Sequence, residues 1–278
     1  MRKFLIALLG VFLAFNCLGQ ISKKLIATYN KAVEYQNKND YENAVKYYLK
    51  FCDKHPFDYQ ARYNLGNCYS VLSEYKLAIE QYNIAESIRG DEPDLYESRG
   101  ASHSHQGNYD KALKDFKKTY ELTGHMTDIL AFAMGNNFWM SERYDSALFY
   151  FDISIKLNPK RHEAHSNIGY VHMIMENYEE AKSAYFYTLQ LDSNDYRSLN
   201  NLGYIYLKLG DLDNAKKYVN KSLSINSENS WVYRNLGLIS KEEGDKKSAC
   251  GYYKQAIDMG FGKVWGIKNI QELKEYCD

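Results

Sequence analysis

The chain of 278 residues is short of almost everything that would break a helix, with only 3 prolines and 17 glycines. That scarcity favours long helical content and argues against a loop-rich or polyproline chain. It also has no surplus of charge: 35 basic residues face 35 acidic ones, and no long run carries a single sign. A nucleic-acid binder usually needs a clustered basic excess to replace condensed counterions, so no nucleic-acid partner is expected. After the first twenty residues no apolar run is long enough to cross a bilayer, and no membrane span is expected in the mature chain. Motifs of catalysis are missing too. There is no glycine-rich phosphate loop, no Gly-x-Ser-x-Gly, no Cys-x-x-Cys and no His-Glu-x-x-His. Carboxylate pairs such as Glu179-Glu180 and Glu242-Glu243 read as solvated helix faces. No enzyme and no cofactor are expected.

The seven histidines do not assemble a metal-ligand pattern. His103 and His105 are two apart on a helix and point to different sides. His162 and His165 share a face but lack a third ligand. His103 and His172 fall in a column otherwise filled by Tyr35, Tyr69, Phe138 and Tyr206, which marks them as packing residues.

What the chain does have is order and tyrosine. Hydrophobic residues make up 45% and charged residues 25%, and there are 27 tyrosines. The first residues, MRKFLIALLGVFLAFNCLGQ, stand apart from the rest: a basic start, an apolar run from Phe4 to Phe15, then Cys17-Leu18-Gly19 before Gln20. This is the pattern of a secretory signal peptide over residues 1–19, the alternative being a retained N-terminal anchor. Cleavage would remove Arg2 and Lys3 and leave 33 basic against 35 acidic residues. The mature protein is then expected to be exported, in the periplasm or attached to the envelope.

From there the sequence repeats itself. One alanine marks each copy: Ala44, Ala78, Ala112, Ala147, Ala181, Ala215 and Ala249, at steps of 34, 34, 35, 34, 34 and 34 residues. A fixed period of this size marks a solenoid. Twelve residues before each marker stands a small residue: Ala32, Gly66, Gly100, Gly135, Gly169, Gly203 or Gly237. Four residues after it stands a bulky one: Tyr48, Tyr82, Phe116, Phe151, Tyr185, Val219 or Tyr253. The small residues let two antiparallel helices approach closely, and the bulky ones, one turn beyond the marker, fill the space between them. Gly107-Asn108, Gly210-Asp211 and Gly244-Asp245 read as turns, with glycine ending one helix and Asn or Asp capping the next. The one extra residue predicts a longer turn near Leu122–Met126 and a small irregularity in the superhelix. Repeats run over about 25–58, 59–92, 93–127, 128–161, 162–195, 196–229 and 230–262. Helically spaced Val264, Ile267, Ile270 and Leu273 predict a capping helix over 263–278.

These columns resemble the tetratricopeptide repeat, a 34-residue helix–turn–helix unit, of an exported bacterial type. The resemblance implies an all-α, right-handed α-solenoid of seven repeats with a C-terminal capping helix, over residues 20–278. It departs from the pattern at Lys31, where leucine is usual, and at Ser240 and Lys246 in the last copy. It further implies that the first helix of each copy lines a concave groove that holds a peptide or protein. Asn30, Asn64, Asn167, Asn201 and Asn235 share one groove column and resemble a ladder that grips a peptide backbone, though asparagine is also common at that column. Phe132, Asn136, Trp139, Tyr170, Met173 and Tyr204, with Leu207, are expected to form an aromatic patch mid-groove. A charge clamp for a terminal carboxylate is not expected, because Tyr29 and Tyr63 occupy candidate lysine positions.

The function implied is an exported protein–protein interaction scaffold; the alternative is a structural subunit of an envelope assembly, docked through its convex face or termini. Four cysteines remain after cleavage, and an even number in an oxidising compartment suggests disulfides. Cys250 with Cys277 would pin the cap and add about 3 kcal/mol by loop entropy. Cys52 with Cys68 is the second candidate pair, against four free thiols.

Overall fold

The structure is a computed structural model that describes residues 23–261 together with Tyr276 and Cys277. Among these residues helices follow one another with no strand. Residues 23–37 form α1. Then come α2 (Tyr41–Lys54), α3 (Tyr59–Val71), α4 (Tyr75–Ile88), α5 (Pro93–His105), α6 (Tyr109–Thr123) and α7 (Asp128–Met140). They continue as α8 (Tyr144–Leu157), α9 (His162–Ile174), α10 (Tyr178–Leu191), α11 (Tyr196–Lys208), α12 (Leu212–Ile225), α13 (Ser230–Glu242) and α14 (Lys246–Asp258). Odd-numbered helices are the first of each copy and even-numbered ones the second. This is the all-α solenoid of repeats that the 34-residue period predicts. The signal segment lies outside the described residues, as does the expected capping helix apart from Tyr276 and Cys277.

The chain divides into two compact units. Unit 1 holds the residues up to Met126 with Asn136–Glu142, and unit 2 holds Thr127–Gly135 with the residues from Arg143 onward. In unit 2, α9 packs on α11 and α11 on α13, and each also packs on the second helix that follows it. The first helices therefore share one common face of the unit. In unit 1, α3 and α5 are apposed in the same way.

The small-residue column works as its chemistry predicts. A Cβ built on Gly66 would stand 2.6 Å from the Tyr82 ring, one on Gly135 2.6 Å from Phe151, and one on Gly237 2.3 Å from Tyr253. Such distances lie inside van der Waals contact, so these helix pairs close this tightly only because the first helix has no side chain there; copy one instead packs Ala32 in one core cluster with Tyr48. Tyr48, Tyr82, Phe151, Tyr185 and Tyr253 are accordingly among the largest fully buried side chains, and each ring contributes about 1.5–3 kcal/mol of apolar burial. Burial raises the phenol pKa of Tyr48, Tyr82 and Tyr185, and pushes that of Tyr253 up to about 12.

Every turn within a copy needs a left-handed residue five positions before the marker. Gly107, Gly210 and Gly244 supply it at φ 74°, 79° and 79°. Asn39, Ser73, Glu142 and Glu176 take the same conformation at φ 59° to 62°, at a steric cost of about 1–2 kcal/mol for a residue with a Cβ. Asp211 and Asp245 cap the second helix as expected, accepting from the Asn214 and Ser248 amides at 3.0 Å. Asn108 does not cap; its side-chain amide donates instead to Gln106 Oε1 at 3.1 Å. The extra residue of copy three lengthens α6 to 15 residues, closed by Gly124 at φ 71°.

Cys250 and Cys277 are joined, with their Cα atoms 5.6 Å apart. The second candidate bridge is not formed. Cys52 and Cys68 are free thiols buried in one cluster with Ala44, Tyr48, Phe51 and Leu65, where they pack as small apolar side chains. Burial pushes the Cys68 thiol up to about 11 and raises that of Cys52, which holds both in the unreactive protonated form.

Copy three breaks the pattern in a way the columns alone did not flag. Arg99 stands where Leu65, Met134, Ile168, Leu202 and Leu236 stand in other copies. It is only 8% exposed, yet its charge is fully met. Its Nε and Nη2 donate to Asp115 at 2.9 and 2.8 Å, and Nη1 donates to Asn83 Oδ1 at 2.8 Å and to Glu86. The Tyr96 ring lies 5.3 Å away on its face. An ionic cluster here replaces the apolar contact of the other repeats.

Candidate functional site

The asparagine column is largely occupied by the fold itself. Asn201 Nδ2 donates to the Tyr185 hydroxyl at 2.9 Å, and Asn64 Nδ2 donates to Tyr48 at 3.2 Å and Tyr29 at 3.3 Å. In both cases the asparagine of one copy satisfies the buried tyrosine of the copy before it. Copy six carries Val219 at the tyrosine position, and Asn235 then has no hydroxyl to meet. It donates instead to the Asn200 side chain at 3.0 Å and is only 2% exposed. Burial removes Asn235 from the expected peptide-facing ladder. Asn30 is exposed on α1, and Asn167 is half-buried on α9.

The aromatic residues divide between the units. Asn136 and Trp139 are half-buried in the part of α7 that belongs to unit 1. Phe132, Tyr170, Met173 and Tyr204 belong to unit 2 and are also half-buried. Phe132 lies 5.8 Å from the Phe151 ring, the same contact that Tyr29 makes with Tyr48 and Tyr63 with Tyr82. It is a packing residue as well as a surface one. Tyr170 and Met173 lean on the cluster of Ala181, Tyr185, Leu202 and Ile205. Burial raises the Tyr170 pKa, while the charge of Arg234 opposes that shift.

Tyr204 carries the most telling surroundings. The Arg234 guanidinium lies 4.9 Å from its ring centre and the Lys208 ammonium 5.6 Å. Arg234 also lies 6.0 Å from the Trp231 ring, and its Nη1 donates to Asn235 Oδ1 at 3.0 Å. A second aromatic group joins α11 to its neighbours, where Tyr206 stacks on Tyr218 of α12 at 5.3 Å with the Lys182 ammonium of α10 5.2 Å from the Tyr206 ring. The sequence reading named Tyr204 but missed Arg234. The signal was present in its column, which reads Tyr29, Tyr63, Glu97, Phe132, Ser166, Asn200 and Arg234. A cation there faces the first-helix side just as Phe132 does.

His103 and His172 are half-buried in α5 and α9, and neither Nδ1 has a hydrogen-bond partner among the described residues. Burial lowers the His103 pKa, and the charge of Asp115 opposes that shift. Among the described residues no three His, Cys, Asp or Glu side chains gather where they could hold a metal ion. Among the same residues no helix is long and apolar enough to cross a membrane.

Models of the tetratricopeptide repeat match residues 29–93, 162–185 and 196–229. The crystal structure of a tetratricopeptide repeat protein from Parabacteroides merdae aligns with a TM-score of 0.74 at 19% identity, covering 92% of this chain and 99% of that one. YrrB, described as a TPR protein with an unusual peptide-binding site, aligns with a TM-score of 0.54 at 20% identity over 66% of this chain and 95% of its own. The human protein O-mannosyl-transferase TMTC1 is 27% identical over 143 residues, half of this chain and 16% of that protein. The chain spans 7% and 16% of the lengths of two curated relatives that it matches. These likenesses concern the repeat fold.

Proposed function

Because this chain is a tetratricopeptide repeat protein, we propose that it is a scaffold that holds an extended segment of a partner protein along its first helices, with no chemistry of its own. The observation that carries this reading is the half-buried Tyr204, flanked by Arg234 and Lys208 on the shared face of α9, α11 and α13. Aromatic and arginine side chains on a rigid helical face are the residues that most often dominate binding energy. A photoreactive phenylalanine analogue in place of Tyr204 is expected to crosslink a partner protein in producing cells, and one in place of Phe149 is not. Phe149, 59% exposed on the second helix α8, favours the alternative of docking through the opposite face. Crosslinks from Phe149 alone would establish that alternative and end the first reading.

Export belongs to the same proposal. It is supported by the basic and apolar start of the sequence and by the Cys250–Cys277 bond, since disulfides persist in oxidising compartments. Protein recovered from the cell envelope is expected to begin at Gln20 on N-terminal sequencing. A first residue of Met1 would mean that the leader is retained.

A further inference from the structure

We infer that the face of α9, α11 and α13 takes an acidic segment of a partner protein, with a side-chain carboxylate seated on Arg234. The inference rests on the partner-binding reading above and adds to it the chemistry of the partner.

The first argument is charge without counter-charge. α11 and α13 carry Arg197, Lys208, Arg234 and Lys241, and the only acidic residues on the three first helices are Glu163 and Glu242. The three helices therefore hold a net charge of +2 in a chain whose total is zero. Elsewhere in unit 2, Arg161 pairs with Asp128, Lys182 with Glu179 and Lys216 with Glu243. Among the described residues none of the four first-helix cations has a carboxylate partner. The surplus is not a property of the repeat. In copy three the column of Arg234 holds Glu97, whose pKa burial raises.

The second argument is geometry. Arg234 is half-buried, 4.9 Å from the Tyr204 ring and 6.0 Å from the Trp231 ring. Residues of two consecutive copies thus flank one guanidinium. Ring faces attract the cation but are weak acceptors for its N–H groups. Of the five N–H donors of an arginine, one is engaged by Asn235 Oδ1 at 3.0 Å. A fork of donors, fixed on aromatic faces and partly shielded from water, matches a carboxylate in two-point contact. Half-buried Met173 and Leu207 stand at equivalent positions of the neighbouring first helices, so the acidic segment would also carry an apolar or aromatic residue.

The test uses three fluorescein-labelled ten-residue peptides with amidated C-termini, built of glycine, one central phenylalanine and either glutamate, glutamine or lysine. Amidation removes the terminal carboxylate and the label is common to all three peptides, so a difference between them reports the side-chain charge. Fluorescence anisotropy with the mature protein is expected to show the glutamate peptide bound at least about ten-fold more tightly than the glutamine one, with the advantage falling as salt is raised. Arg234→Gln is expected to weaken binding roughly five- to ten-fold, and the exposed Lys208→Gln and Lys241→Gln about two- to three-fold each, with helicity unchanged by circular dichroism. The lysine pair keeps the test sharp if the arginine variant loses structure. Equal binding of the glutamate and glutamine peptides, or no binding of the glutamate peptide, would overturn the inference. Tyr204 crosslinking would in that case still stand or fall independently, which separates a wrong ligand class from a wrong face.

Discussion

Leucine in place of Arg99 is expected to destabilise unit 1 by about 3–5 kcal/mol, even though that column holds leucine at Leu65, Leu202 and Leu236. The loss comes from what remains behind. Asp115 is 5% exposed and receives two hydrogen bonds from Arg99, at 2.9 and 2.8 Å. Without the guanidinium its carboxylate keeps the desolvation cost and loses the compensating charge. The double variant Arg99→Leu/Asp115→Ala removes both charges and should recover most of the loss, because a buried pair contributes little against an apolar replacement. Urea unfolding of the two variants against the native protein measures this. A single variant within about 1 kcal/mol of native would show that the cluster is not what holds copy three together.

The same cluster sets a pH dependence. The Arg99 hydrogen bond to Glu86 lowers the carboxyl pKa below its ordinary value, with burial opposing. A depressed folded-state pKa means stability that is present above the ordinary carboxylate range and lost as pH falls through it toward the folded value. The native protein should therefore lose part of its advantage over Arg99→Leu as pH drops below about 4.

Removal of the Cys250–Cys277 bond is expected to cost unit 2 about 3 kcal/mol, because the bridge closes a sequence separation of 27 residues. For a body of this size that is a fall in melting temperature of roughly 6–12 °C. The bond also ties Tyr276 beside Tyr253, 6.2 Å between rings, and near Lys241 at 4.7 Å. The double variant Cys250→Ser/Cys277→Ser, read by differential scanning calorimetry, gives the value without an unpaired thiol. Reductant should then shift the native protein to the variant's melting temperature and leave the variant unmoved. A native protein insensitive to reductant would mean that the bridge does not close this loop in solution. Cys52 and Cys68 should resist alkylation until the protein unfolds, since burial keeps both thiols protonated.

The sequence by itself determined the architecture. A period of 34 residues, a small residue twelve before each marker and a bulky one four after it leave a single way to close two helices, and Gly66 on Tyr82 or Gly237 on Tyr253 shows that closure atom by atom. Those are local constraints, set within one copy and repeated along the chain, so they can be read from spacing. The turn at Gly210 and the cap at Asp211 were legible for the same reason. What only the tertiary structure decided depends on residues one copy or more apart. It decided that the Asn64 and Asn201 amides are spent on the tyrosines of the preceding copies, that Asn235 is buried, and that Cys52 and Cys68 stay apart as free thiols. It also turned Arg99, an apparent fault in an apolar column, into the centre of an ion cluster, and placed Arg234 on Tyr204. Column statistics say which residue type a position tolerates. Side-chain direction across neighbouring copies decides which partner it meets, and that is fixed only once the helices are packed.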